Sequence, residues 1–191
     1  MSAVHEFQAS VITGTIAAGL AGASELMQFR YTGTGVAVVK LIQSTTQGTG
    51  TAFAAGGGQL ALRVARSWSV DGSGGGLTTL TGNNAKLRSQ YNTTNAAIRI
   101  ATTAALTAGT KTTDANPFAL QQVNIGTGTN TQPFPPVNLY SIGPTDSLMD
   151  NDMGLMLVAN EGFAIEATVP ATGTWSAAFT VKWAEFDAGI L

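Results

Sequence analysis

Residues 174–186 read T-W-S-A-A-F-T-V-K-W-A-E-F, with a large apolar side chain at nearly every second position. Trp175, Ala177, Phe179, Val181 and Trp183 fall on one side of an extended chain, and Ser176, Ala178, Thr180, Lys182 and Ala184 on the other, because successive side chains of a strand point to opposite faces. A helix needs apolar residues three and four apart, and those spacings mix the two sets here. The stretch is therefore a half-buried β-strand. It carries two of the three tryptophans in the chain. Large aromatics dominate the energetics of a small core, so the remaining strands must pack on this one.

The other segments supply those strands. Residues 26–31 and 36–43 read as a hairpin around Thr32-Gly33-Thr34-Gly35, and the second strand, apolar on both faces, reads as central. Residues 59–70 place Leu60, Leu62, Val64, Trp68 and Val70 on one face, interrupted by Arg66. D-G-S-G-G-G at 71–76 reads as a flexible turn, 77–80 as a short return strand, and Ile98-Arg99-Ile100 as another alternating core segment. Residues 83–91 have room for a helical turn, and 109–116 read as a turn-rich link. Pro133, Pro135 and Pro136 put their segment in an exposed loop or at an edge, since proline cannot donate to a ladder. Residues 155–159 and 163–169, joined by Asn160-Glu161-Gly162, read as a hairpin, and the turn at 170–173 makes the C-terminal third a three-stranded antiparallel meander.

The expected fold is all-β: a single antiparallel β-sandwich, jelly-roll-like, over residues 25–191, with an extended N-terminal arm over residues 1–24. Gly14, Gly19 and Gly22 each weaken a helix by about 1 kcal/mol. Val11, Ile12, Ile16 and Leu20 are too few to repay about 1–2 kcal/mol of backbone entropy per ordered residue. The arm is therefore expected to order only against a neighbouring subunit, as in β-augmentation.

A length of 191 residues suits one domain. Only 10% of the residues are charged, against about 25% in an ordinary soluble protein. Such a surface is either coated with Thr, Ser, Asn and Gly or covered by other subunits. The net charge of −2 and the dispersed basic residues leave no footprint for nucleic acid. No apolar run approaches the roughly 18 residues of a membrane span, so no membrane is expected. The absence of cysteine removes disulfide and thiolate-metal chemistry. The first residues lack a basic region leading into an apolar core, so synthesis in a cytoplasm is expected.

Catalytic constellations fare poorly. The only histidine, His5, lies in the expected arm, where it reads as solvated rather than as the base of a triad. The glycines at 72–76 lack a following Lys-Ser or Lys-Thr and read as a turn, not a phosphate loop. Asp150, Asp152 and Glu161, with Asp146 nearby, partly match a calcium loop, but Leu155 stands where that loop needs glycine. Glu161, Glu166, Glu185 and Asp187 could supply paired carboxylates for glycoside hydrolysis, and read instead as a solvated rim. Trp68, Trp175 and Trp183 read as core rather than as stacking platforms. Asn92-Thr93-Thr94 is a glycosylation acceptor sequence only for a secreted chain. No catalytic, cofactor or metal residue is assigned.

The segment G-F-A-I-E-A-T-V-P-A-T-G-T-W-S-A-A-F-T-V-K-W-A-E-F at 162–186 resembles the C-terminal end of a group of small tailed-bacteriophage virion structural proteins. A-R-S-W-S-V-D-G-S-G-G-G at 65–76 and A-I-R-I-A-T-T-A-A-L-T-A-G-T-K-T at 97–112 are similar to that group as well. The resemblance implies a non-enzymatic virion component: a capsid decoration or cement protein, self-associating as a homotrimer and contacting the major capsid protein or another virion protein. The alternative it leaves is a tail, neck or head-fibre component whose loops, such as 71–76 or 132–137 with Phe134, bind a host receptor or glycan.

Overall fold

The computed structural model of the chain describes residues 4–17, 20, 24–51, 58–81, 83–123, 135–142, 154–169 and 172–187. Asp146, Asp150, Asp152, Pro133 and Phe134, and with them the calcium and exposed-aromatic readings, lie outside the described residues.

The described elements are all strands: β1 (Val4–Ile12), β2 (Ile16–Ala17), β3 (Ser24–Tyr31), β4 (Val36–Gly48), β5 (Gly58–Val70), β6 (Gly76–Thr78), β7 (Ala96–Ile100), β8 (Thr110–Thr113), β9 (Ala119–Val123), β10 (Val137–Ser141), β11 (Leu155–Leu157), β12 (Glu161–Thr168) and β13 (Thr174–Phe186). They form two antiparallel sheets. One runs β1-β13-β4-β10, with β11 also on β4 and β2 on β13; the other runs β6-β7-β3-β12-β5-β8, with β9 also on β5. The all-β sandwich is as expected, with six- and seven-stranded sheets larger than the two four-stranded sheets of a jelly roll.

The strand β13 organises the six-stranded sheet. It pairs with β1 along nine residues on one side and with β4 along most of its length on the other. Its predicted inner row, Trp175, Ala177, Phe179, Val181 and Trp183, is buried, while Ala178, Thr180 and Lys182 are partly exposed. Phe29 stacks on Phe163 within the seven-stranded sheet at 4.9 Å and meets Trp183 of the other sheet nearly perpendicularly at 5.3 Å, the contact that joins the two sheets.

The described part of the expected arm is not an arm. Residues 4–12 form β1, whose alternate residues His5, Phe7, Ala9 and Val11 are buried. Phe7 stacks on Trp183 across the strand pair at 5.5 Å. The segment V-H-E-F-Q-A-S-V-I alternates as cleanly as residues 174–186, and this period outweighs the glycines after it. A ready edge of β13 supplies the main-chain partners within the same chain.

The expected hairpins are also corrected. The strands β3 and β4, joined by residues 32–35, lie in different sheets, as do β11 and β12, and β12 and β13. No three-stranded C-terminal meander exists. The short turns at 32–35 and 158–160 carry the chain from one sheet to the other, and local turn chemistry does not distinguish such a crossing from a hairpin.

Bulges account for the shifts within strands. Lys182 and Trp183 of β13 face Leu41 and Val39, leaving Lys40 as an extra residue on β4. Across it the buried positions change from Ala37 and Val39 to Ile42, Ser44 and Thr46. Arg66 is likewise extra on β5 against β8. Beyond it Trp68 is buried on the outer side of its sheet, beneath Lys111, whose Nζ lies 4.6 Å from the ring centroid. Trp68 is thus packed, as expected, but not in the row of Leu60, Leu62 and Val64. An extra residue in one strand turns the residues beyond it relative to the sheet.

Candidate functional site

Three surfaces can carry function: the outer side of each sheet and a polar cavity at one end of the sandwich. The outer side of the seven-stranded sheet is covered over β3, while Leu77 of β6 and Leu120 of β9, on the same side, stay largely exposed. Residues 71–75 pass back over β3 on the way from β5 to β6: Asp71 pairs with Arg30 at 2.8 Å, and Gly72 N donates to Gln28 Oε1 at 3.2 Å. Residues 105–111 run in the reverse direction, with Thr107 N donating to Ser73 O and the Gln28 amide donating to Thr107 O at 2.8 Å.

Under this cover lie charged side chains. Lys111 and Glu25 form a 2.7 Å ion pair with side chains only 2% and 4% exposed. Burial pushes the Glu25 carboxyl above the usual range, against the opposing pull of hydrogen bonds from Lys111 and Gln28. Arg63 holds Glu166 through two 3.1 Å contacts and donates to the carbonyls of Asp114 and Ala115. Glu166 is therefore half of an ion pair rather than part of a solvated rim. The 71–76 turn is close-packed: a Cβ at Gly72 would meet Thr107 O at 2.0 Å. That closeness accounts for its glycine without any phosphate.

The outer side of the six-stranded sheet is open. Ser10, Thr180, Gln43 and Asn138 lie in one row across β1, β13, β4 and β10. Ser10 and Thr180 share a hydroxyl hydrogen bond at 2.9 Å, and the Gln43 amide donates to Asn138 Oδ1 at 2.9 Å. Ile12, Ala178 and Thr45 form the next row, with Ile12 64% exposed. Among the described residues, the charged side chains of this face are Lys40, which donates to Glu6 at 2.7 Å and lowers that carboxyl, and Lys182, two positions along β13 from Thr180.

The cavity, of about 70 Å³, sits where the inner row of β1 and β13 runs out. Beyond the stacked pair Phe7 and Trp183, His5 stands opposite Glu185. His5 is not solvated: it is 8% exposed, meets Tyr91 edge-on at 5.2 Å and accepts a bond from Asn92 N on Nδ1 at 3.3 Å. Glu185 is also buried, and accepts from Asn95 N, Asn95 Nδ2, Trp183 Nε1 at 3.0 Å and the Thr94 hydroxyl. Tyr31 completes the wall, its phenol pushed up to about 12 by burial and then by the charge of Glu185.

The structure brings His5, Glu185 and Asp187 to one cavity, while Glu166 stays under the opposite cover and Glu161 accepts from Val158 N at its own turn. Among the described residues, no group of three or more His, Asp or Glu side chains is placed to hold a metal ion. The paired position of His5 and Glu185 was readable in principle from the two alternating strands. Lys111 reaching Glu25 from 86 residues away was not. Compared with protein families, with curated proteins and with solved structures, the chain has no match in any of the three.

Proposed function

We propose that this chain is a non-enzymatic bacteriophage virion structural protein, a capsid decoration or cement protein that self-associates and contacts other virion subunits in the particle. The observation that carries the reading is the open face of the six-stranded sheet, with Ser10, Thr180, Gln43 and Asn138 in an uncharged row across four strands. Interface cores are depleted of charge and rely on many small, complementary contacts. The resemblance of residues 65–76, 97–112 and 162–186 to small tailed-phage virion proteins supports the same reading. Light scattering on the purified chain and co-sedimentation with phage capsids test it. A trimer that binds capsids is expected; a monomer that stays in the supernatant overturns it.

The second reading, a tail, neck or head-fibre module that binds a receptor or glycan, is favoured by one observation, the polar cavity at His5 and Glu185. Particles carrying the chain at a fibre rather than on the shell, seen by labelling intact virions, would favour it over the first.

A further inference from the structure

We infer that the charged end of the open six-stranded face is a docking site for the acidic stretch of a second copy of this chain, residues 143–153, G-P-T-D-S-L-M-D-N-D-M. The inference rests on the reading of that face as an association surface and names what meets it there. It starts from the charges that are left over. All nine Lys and Arg side chains of the chain belong to the described residues. Arg30, Lys40, Arg63, Arg66 and Lys111 stand in ion pairs. Among the described residues Arg88 and Lys182 join no ion pair, and both lie near one carboxylate. Glu6 accepts from Lys40 at 2.7 Å, and Lys182 is its diagonal neighbour across β1 and β13, a separation of about 7–8 Å. Arg88 follows residues 85–87, which run along the other edge of β1: Gln8 N donates to Ala85 O, and Leu87 N to Glu6 O. The Glu6 carboxyl is lowered by its bond to Lys40 and, against the effect of burial, by the charges of Lys40, Lys182 and Arg88. Three cations thus surround one carboxylate in a chain whose net charge is −2.

The surroundings of these cations select the occupant. The row of Glu6 continues through Ala184 and Val38 to Met156, and Val38 and Met156 are partly exposed. A segment that fits carries carboxylates for the cations and a short apolar stretch for this row. Residues 143–153 carry both: Asp146, Asp150 and Asp152, with Leu148 and Met149 between the first two. No Lys or Arg lies between Lys111 and Lys182, so the stretch has no cation near it in sequence. Its place in the chain favours a neighbour as the host. It leaves β10 and enters β11 on the far side of β4. Arg88 lies beyond β1, four strand spacings or about 19 Å from that edge. That distance is at the limit of residues 143–153 doubled back, about 20 Å at full stretch. A neighbour's segment has no such tether. Opposite charges brought together in this way fix register and partner more than they add affinity, which leaves the uncharged rows beside them as the body of the contact.

Three altered chains test this by sedimentation equilibrium, each first shown to keep the urea midpoint of the wild type. One reverses the patch, with Arg88→Glu and Lys182→Glu; one reverses the segment, with Asp146→Lys, Asp150→Lys and Asp152→Lys; the third carries both sets. Each single reversal should weaken self-association by about tenfold or more, and the double reversal should return it to within about threefold of the wild type. An equimolar mixture of the two single-reversal chains should form mixed oligomers, because the unaltered segment of one meets the unaltered patch of the other. Association of the wild type should also weaken between about 0.05 and 0.5 M NaCl, as the screening length falls from above about 10 Å toward a few ångströms. A wild type that associates equally at both salt concentrations, and whose single reversals associate as tightly, overturns this inference and leaves the assembly reading standing. A monomeric wild type overturns both. Recovery in the double reversal without mixed oligomers would place the contact within one chain, and that too overturns the inference.

Discussion

The two sheets bury matching inner faces and finish their outer faces in opposite ways. Around Thr180 the outer side presents hydroxyls and amides in the open, tied to one another by short hydrogen bonds. Around Gln28 the outer side holds Glu25 and Lys111 where segments 71–75 and 105–111 return across it, and further along the sheet Arg63 binds Glu166 and the carbonyls of Asp114 and Ala115. Charge taken out of water costs several kcal/mol per ion and is recovered only by good pairing. The covered face therefore gains little net stability from its ions. What they fix is the path of the segments that cross it. The open face has no such constraint, and its small side chains are free to meet another subunit.

Lys111→Met makes the largest break in this comparison. It leaves Glu25 as an unpaired buried carboxylate, and at neutral pH we expect a loss of about 3–5 kcal/mol in urea denaturation. Adding Glu25→Gln should restore most of that loss, because the pair is close to neutral against uncharged replacements. A single-variant cost below about 1 kcal/mol would mean that the segments do not seal this face.

A smaller effect comes from the cover itself. Gly109 has φ +70, and a Cβ there would lie 2.3 Å from Val70 O. Gly109→Ala should cost about 1–3 kcal/mol through strain and forced displacement. Gly76, whose added Cβ meets nothing within 4 Å, serves as the control, and Gly76→Ala should stay within about 0.5 kcal/mol. Equal effects at the two positions would show that the cover is not packed on the strands.

The two faces should also respond to pH with opposite sign. Glu6 has a carboxyl lowered from 4.5 by its bond to Lys40, so its contribution is present above that value and lost as pH falls through the lowered one. Glu25 has a carboxyl raised from 4.5 by burial, so its contribution is present below that value and lost as pH rises through the raised one. The stability difference between the wild type and Glu6→Gln should therefore grow with pH, and the difference between the wild type and Glu25→Gln should shrink. Urea midpoints measured from about pH 3 to 7 test this; parallel slopes would contradict the separate environments.

Much of the fold is legible in the chain because burial writes a period of two. Residues 174–186 declare their inner row, and β4, apolar on both faces, is central as its sequence implies. The same period is present in V-H-E-F-Q-A-S-V-I, but the glycine-rich residues after it suggest an arm where the chain forms a buried strand. Turns at 32–35 and 158–160 look the same whether the next strand lies beside the last or across the core. Bulges at Lys40 and Arg66 leave no compositional mark. The cavity eludes the sequence because His5, Asn92 and Glu185 converge only after three distant segments meet.

The smallest effect on stability should accompany a large one on association. Thr180 lies mid-row on the open face, partly exposed, its hydroxyl sharing a hydrogen bond with that of Ser10. Thr180→Lys adds a flexible cation that can extend into water, so the isolated fold should change by no more than about 0.5 kcal/mol. In an assembly the same ammonium would be carried into a dry, uncharged contact with no counter-ion in the row of Ser10, Gln43 and Asn138. Leaving a charge unpaired in an interface costs about 2–5 kcal/mol, which is roughly a 30- to 4,000-fold weakening. Sedimentation equilibrium of the wild type and Thr180→Lys, each first shown to have the same urea midpoint, separates the two terms. If the variant associates as tightly as the wild type, contact is made elsewhere on the sandwich, and an open face and a covered face would differ only in how they are solvated.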